Sequence, residues 1–279
     1  MSIPVSVIVV SKNEESRIAE CLKCLAAFDD VWVVDSGSDD QTVKIAEASG
    51  AKVLDYKWDG QYPKKRGWCL ANLELAHDWV FFVDADEYVT PFLVDEIDML
   101  DLSSDRDEAG YFVRGQYVFE RSLLQQGLQN RKLALFNRHK MEFPVIDDLD
   151  LPGMGEIEGH YQPVLKAGHG DGRIGALHYP LIHEAYEDAN SWEARHKRYA
   201  AWEAGMNARD AWPQDPDKGR QLMKRVFRRL PFRGAAAFAH SYIFKQGFLD
   251  GAAGLAFARS RLRYYRMISD ASKDLEKAS

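Results

Sequence analysis

Cysteine is scarce: Cys21, Cys24 and Cys69 are the three in 279 residues. So low and odd a count excludes a disulfide framework and fits a reducing compartment. Cys21 and Cys24 form a lone CxxC with no second pair to complete a zinc site; beside Ile18, Leu22 and Leu25 they read as the core face of a helix. Long apolar runs are missing too, since no window holds the ~18 uninterrupted apolar residues of a membrane span. The opening MSIPVSVIVVSKNEE has neither a basic leader nor a small-residue cleavage site, and reads as a strand rather than a signal peptide. Positive charge is not in excess: the formal net charge is -7, which argues against nucleic acid as a partner. His160, His169, His178 and His183 lack the tight spacing of an all-histidine zinc site.

What is present is a chain 46% hydrophobic and 28% charged, the balance of a globular protein. Its charge is uneven. From Lys218 to Arg266 twelve Lys or Arg side chains face one acid, Asp250, whereas the rest of the chain is strongly acidic. Near-continuous β-branched runs, Val5 to Val10 first among them, predict strands covered on both faces. They alternate with helical stretches. SKNEESRIAECLKCLAAF predicts a helix, VWVVD a strand, DDQTVKIAEASG a helix capped by Gly50, AKVLDY a strand, KKRGWCLANLELA a helix and WVFFVD a strand. That alternation predicts βαβ units and a mostly parallel α/β sheet flanked by helices. From about Glu108 it gives way to further strands, then to a helix over SWEARHKRYAAWEAG and a basic helical extension. The expected division is a catalytic domain over 1–215 and an extension over 216–279.

In open α/β sheets ligands bind outside the carboxyl ends of the strands. Asp35 and Asp84 fall there, as do Ser11, Asn13 and Glu14 just after the first strand. The stretch WVFFVDADEYVT drives a buried strand into Asp84, Asp86 and Glu87. Three carboxylates so close repel one another, so a positive partner is required. Aspartates at i and i+2 where a strand turns can approach one hard cation, Mg2+ or Mn2+, bridging to substrate phosphates. A structural alternative is that Asp84 or Asp86 caps the following helix. A nucleotidyltransferase is a third reading, but SKNEES has no glycine for a phosphate loop.

Taken in order, SVIVVSKNEESRIAECL, VWVVDSGSDDQTVKIAEASGAKV, WDGQYPKKRGWCL and WVFFVDADEYVTP resemble the family 2 glycosyltransferases with their A-type nucleotide-sugar fold. GEIEGH, ALHYP, RHKRYAAWEA and GFLDGAAGLAFA resemble that family's lipopolysaccharide-core glucosyltransferase-like branch, with Gly155 where the branch often has His. The resemblance implies an inverting, metal-dependent hexosyltransferase that takes a nucleotide-diphosphate sugar, UDP by default with GDP and dTDP open. Its acceptor would be a hydroxyl of a glycan or lipid-linked sugar in lipopolysaccharide or polysaccharide synthesis. It implies that Asn13 and Glu14 line the nucleoside pocket, that Asp35 contacts the base, that Asp84 faces the ribose and that Asp86 faces the metal. Lys65 and Arg66 either neutralise the diphosphate or form a solvated face. His178 is either a further metal or diphosphate ligand or a structural residue. Glu156 is the expected base by position, with Glu158 and Asp148 as rivals. The alternative from another class is a non-catalytic, membrane-associated nucleotide-sugar-binding module.

The basic segment mixes Leu, Met, Val and Phe with Lys and Arg at helical spacing. It predicts an amphipathic helix on an anionic membrane surface, hence a cytoplasmic protein peripheral to the inner face of the membrane. A helical lid or a homo-oligomer interface are the other uses of such a surface.

Overall fold

The structure, a computed structural model, describes residues 2–103, 107–158, 161–170, 172–184 and 189–278; His160 lies outside them. The chain forms two compact units, one of residues 1–115, 131–143 and 162–183, the other of 116–130, 144–161 and 184–279.

In the first unit β1 (Ile3–Ser11), β2 (Phe28–Asp35), β3 (Lys52–Asp55) and β4 (Trp79–Asp84) run parallel in the order β3-β2-β1-β4. Crossover helices α1 (Ile18–Lys23), α2 (Thr42–Ala48) and α3 (Lys65–Asn72) join them. After β4 come β5 (Glu87–Val89), α4 (Pro91–Asp98), β6 (Glu108–Phe119), β7 (Ser122–Leu123), β8 (Asn130–Asn137), β9 (Met141–Glu142), β10 (Val164–Leu165) and β11 (Arg173–His183). The sheet continues from β4 through β8, β6 and β11 to β5, with β8 antiparallel to β4 and β5 antiparallel to β11. The α/β architecture is as expected, with the parallel order confined to the first four strands. The chain between β6 and β8 has no crossover helix, and parallel neighbours need one.

The central strands β1 and β4 are almost wholly apolar because both their faces are covered. Val5, Val7 and Val9 pack with Ile18, Leu22, Leu93 and Ile97 of α1 and α4. Ile8, Val80 and Phe82 pack with Cys69 and Leu73 on the α3 side. Cys21 is buried in the α1 face and no cysteine is bonded to another. Gly50 ends α2 at φ 83, where Gly50 N–H donates to Glu47 O at 3.0 Å and Ala51 N–H to Ala46 O at 3.3 Å. This is a Schellman closure, and glycine suits its left-handed residue.

α1 is shorter than expected. Residues 12–17 stay non-helical, and the N–H groups of residues 13–15 are taken by the segment between β2 and the start of α2. Asn13 N–H donates to Ser38 Oγ at 2.7 Å, Glu14 N–H to Thr42 Oγ1 at 2.7 Å and Glu15 N–H to Asp40 Oδ2 at 3.1 Å.

The second unit holds α5 (Ala189–Arg209), α6 (Lys218–Arg229), α7 (Arg233–Ala239) and α8 (Gly251–Ala278). Trp192 and Ala200 of α5 bury against Tyr264 and Ile268 of α8, and Ala253 and Phe257 bury against Phe119 and Leu124. The buried Glu203 carboxylate accepts from Arg233 at 2.5 Å and from the Tyr264 hydroxyl at 3.0 Å. The apolar face of α8 is thus spent inside this unit, whereas α6 buries none of its residues. Among the described residues no helix is long and apolar enough to cross a membrane.

Candidate active site

Parallel register brings the ends of three strands level: Ser11 pairs with Asp35 across β1 and β2, and Val10 with Asp84 across β1 and β4. Ser11 Oγ donates to Asp35 Oδ1 at 2.8 Å. Asp35 also accepts from Ser38 N–H and Ser38 Oγ, each at 2.6 Å. It is buried and builds its own turn. Asn13 sits at φ 56 and its Oδ1 accepts Asp39 N–H at 3.0 Å, which ties the β1 loop to the β2 loop. Lys65, at the start of α3, donates to Ser11 O at 2.9 Å and Ser36 Oγ at 2.7 Å. It braces the β1 and β2 ends and is no solvated side chain.

The acidic turn lies beside this brace. Asp84 accepts from Arg66 at 2.5 Å and from Lys132 of β8 at 3.3 Å. Glu87 is fully buried; it accepts from Lys132 and, at 2.9 Å, from Asp84 N–H. Asp86 faces His183 Nε2 at 3.4 Å and Arg17 at 4.0 Å, and Arg17 also reaches Glu14 at 3.3 Å. The positive partner demanded by three clustered carboxylates is therefore a ring of protein cations. Burial works against the charge on Asp84, but Arg66 and Lys132 outweigh it and hold the carboxyl well below the usual range. Burial likewise opposes the Asp86 charge, and His183 outweighs it. Burial and the neighbouring aspartates push Glu87 up despite Lys132. For His183, burial is overcome by the Asp86 carboxylate, which raises the imidazole to about 9.

The capping alternative fails. The helix after the turn, α4, is capped by Thr90, whose hydroxyl accepts Leu93 N–H at 3.3 Å, with Pro91 in its first turn. Neither aspartate has that job.

Several cluster members escape the sequence reading: Arg17, Lys132 and His183. His178 and His183 both lie on β11, five residues apart, and an odd separation puts two strand side chains on opposite faces. His183 meets the acids. His178 instead pairs its Nδ1 with Glu96 Oε1 at 2.8 Å, largely exposed. His169 sits in an exposed turn, its N–H donating to Lys166 O at 3.1 Å.

Two carboxylates on a tight turn are a hard oxygen donor set, the chemistry Mg2+ and Mn2+ take. Among the described residues, however, no three His, Cys, Asp or Glu side chains gather as a metal cage. The donor set fits an ion that completes its shell with substrate phosphates better than one held by protein alone.

The other candidate acids belong to the second unit. Asp148 is buried and accepts the Trp202 indole N–H at 2.8 Å; Glu158 is buried and Glu156 is half-buried. Their loop is pinned to α5. Arg209 binds Asp150 in a fork at 2.7 and 2.5 Å, and Gly153, at φ 113, lies so close that a Cβ would meet Arg198 O at 2.2 Å.

The sequence model of glycosyl transferase family 2 matches residues 6–126, the stretch that holds β1 to β4 and the acidic turn. That stretch is similar to a family 2 glycosyltransferase domain. An uncharacterized glycosyltransferase of Rickettsia typhi is 38% identical over 104 residues, 37% of this chain and 35% of its own length. The lipopolysaccharide core biosynthesis glycosyltransferase LpsC of Rhizobium meliloti is 26% identical over 189 residues, 64% of this chain and 65% of its own. The chain thus spans about a third, 35%, of the first of these relatives. Glucosyl-3-phosphoglycerate synthase from Mycobacterium tuberculosis, solved with Mn2+, UDP and glucosyl-3-phosphoglycerate, is 20% identical at a TM-score of 0.44, covering 77% of this chain and 81% of that one. TarS 1–349 of S. aureus is 17% identical at a TM-score of 0.42, covering 100% of this chain and 92% of that one.

Proposed function

We propose that the protein is an inverting glycosyltransferase that moves a sugar from a nucleotide-diphosphate donor, UDP-linked by preference, to a hydroxyl of a glycan or lipid-linked acceptor in cell-surface polysaccharide or lipopolysaccharide synthesis. One observation carries this reading: the level ends of β1, β2 and β4 hold the Ser11–Asp35 pair beside the cation-ringed turn of Asp84, Asp86 and Glu87. Asp35, Asn13 and Glu14 supply acceptors for base N–H and ribose hydroxyls, which reject analogues lacking those donors. Asp84 takes the ribose side and Asp86 the diphosphate side. Lys65 holds the strand ends in register, and Arg66 is the nearer cation for the diphosphate. Asp84 and Asp86 would hold Mg2+ or Mn2+, which when bound stabilises negative charge on the departing nucleoside diphosphate. Glu156 removes the acceptor hydroxyl's proton as that oxygen forms its bond to the anomeric carbon and the bond to the diphosphate breaks. Attack opposite the leaving group inverts the anomeric configuration.

Because protein cations already balance the turn, the ion is expected to arrive with the diphosphate. Titration calorimetry with Mn2+ alone, UDP alone and both together tests this. Mn2+ alone should bind weakly, and the two together far more tightly than either. Asp86→Ala should lose the Mn2+-dependent gain while keeping a cooperative melt. Unchanged affinity in Asp86→Ala would sink the reading. A melting panel of UDP-, GDP- and dTDP-sugars then identifies the base, since a bound ligand raises apparent stability by mass action.

A further inference from the structure

α6 is built inside out. Its sequence, KGRQLMKRVFRR, carries six basic residues and no acid. An amphipathic helix on a protein surface normally turns its apolar stripe inward and its charges to water. Here three charged side chains turn inward. Lys224 reaches Asp215 at 2.7 Å and Arg220 reaches it at 3.6 Å. Arg228 lies 3.7 Å over the Trp212 ring, and Phe227 meets Tyr265 edge-on at 5.0 Å. Asp217 caps the helix, accepting Arg220 N–H at 3.0 Å, so its orientation is fixed at the first turn.

The other apolar residues are left outside. Leu222 is 59% exposed, Met223 68%, Val226 54% and Leu230 41%. At 100° per residue these four share one arc, with Arg225 and Arg229 along its edge. Pro231 then stops the helix, and Phe232 follows at φ 59 and 85% exposed. A left-handed backbone is disfavoured for a bulky side chain, and here it displays a phenyl ring to solvent.

We infer that this face of α6 docks on an anionic lipid bilayer, with Leu222, Met223, Val226 and Phe232 entering the acyl boundary and Arg225 and Arg229 meeting the headgroups. The occupant follows from charge and apolarity. The exposed charges on the helix are all positive, and Arg225 and Arg229 border the apolar arc along one side. A surface that is anionic outside and apolar a few ångströms below complements both features. A second copy of this chain matches less well, because its surface would have to supply a large apolar face. The inference is independent of the glycosyl-transfer reading, since lipid binding and donor binding are measured separately.

The test uses the full-length chain with vesicles of phosphatidylcholine alone and of phosphatidylcholine with about a quarter phosphatidylglycerol. Cosedimentation is expected with the anionic vesicles only, and should weaken as NaCl rises from about 0.1 to 0.5 M, because the contacts are screened. Leu222→Asp with Val226→Asp should lower partitioning about tenfold or more. The melting temperature should stay put, because both side chains are exposed. Arg225→Glu with Arg229→Glu should remove the salt-sensitive part. Failure of the wild-type chain to sediment with anionic vesicles overturns the inference. So does equal sedimentation of the Leu222→Asp, Val226→Asp protein. A concentration-dependent dimer that this double variant dissolves, without vesicle binding by wild type, would assign the face to a second copy instead.

Discussion

At the scale of single residues, the acidic turn is tolerated because each carboxylate meets at least one cation. Asp84 has Arg66 and Lys132, Asp86 has His183 and Arg17, and Glu87 shares Lys132. Removing one partner of a buried pair leaves an uncompensated charge, which is far costlier than never having had the pair. Lys132→Met is therefore expected to cost about 3–5 kcal/mol in urea unfolding. Adding Glu87→Gln should return a large part of that loss, because the two residues are coupled and their effects are not additive. A loss under about 1 kcal/mol for Lys132→Met would mean that the turn is held by something else. With Glu156 as the proposed base, chemistry should be separable from binding there. Glu156→Gln keeps shape and removes the proton acceptor, so donor affinity should persist while transfer falls by roughly 10²–10⁴. If transfer instead runs at the wild-type rate, Glu158 is next, because Asp148 is already committed to Trp202.

Elements owe their ends to particular contacts. α4 begins where it does because Thr90 caps it, and the same hydroxyl donates to Pro180 O at 2.8 Å. That second bond ties α4 to β11, and with it the acidic turn to the strand that carries His183. The loop bearing Glu156 is held by a different device, the close approach of Gly153 to α5. Gly153→Ala would force a Cβ onto Arg198 O and occupy φ 113 with a side chain. Strain and overpacking together should cost roughly 3 kcal/mol in chemical denaturation. Gly37→Ala, with nothing within 4 Å of its added Cβ, is the control. It should cost only about 1 kcal/mol for its positive φ. Similar losses at the two sites would show that backbone conformation, not contact with α5, is what matters at Gly153.

For the molecule as a whole, two networks outside the candidate active site add to the acid limit already imposed by the depressed Asp84 and Asp86. Asp30 is buried, which works against its charge, but the Lys52 ammonium, the Ser6 hydroxyl and Ala76 N–H hold it below the usual carboxylate range. Glu96 is lowered likewise, burial being outweighed by the N–H groups of Tyr179 and His178 and by the His178 ring. A carboxylate depressed in the folded state contributes stability that is full above its unfolded pKa, about 3.9 for Asp and 4.3 for Glu, and is lost as pH falls through the folded value. Melting temperature should therefore hold from neutral pH down to about 5 and drop steeply below about 4. Asp30→Asn should lower stability at pH 7 and flatten that acid drop. An equally steep drop in Asp30→Asn would place the acid sensitivity elsewhere.

The order of strands and helices through β4, and the position of Asp35 and Asp84 at strand ends, were legible in the sequence. Apolar runs, helical spacing and turn residues are local signals, and each is complete within about a dozen residues. Ser11, Asn13, Glu14 and the acidic turn follow from the same reading, because parallel strands bring their carboxyl ends to one edge. Only the tertiary structure decided which cations answer the acids. Lys132 reaches Asp84 across 48 positions, through β8 pairing antiparallel with β4, and no periodicity encodes such a neighbour. It also decided between His178 and His183, since strand pleat and register assign one to the cluster and the other to Glu96. The sequence marked α6 and α8 alike as basic and amphipathic. Packing separated them: α8 found α5 to cover its apolar face, whereas Asp215 and Trp212 drew the charges of α6 inward and left its apolar face outside.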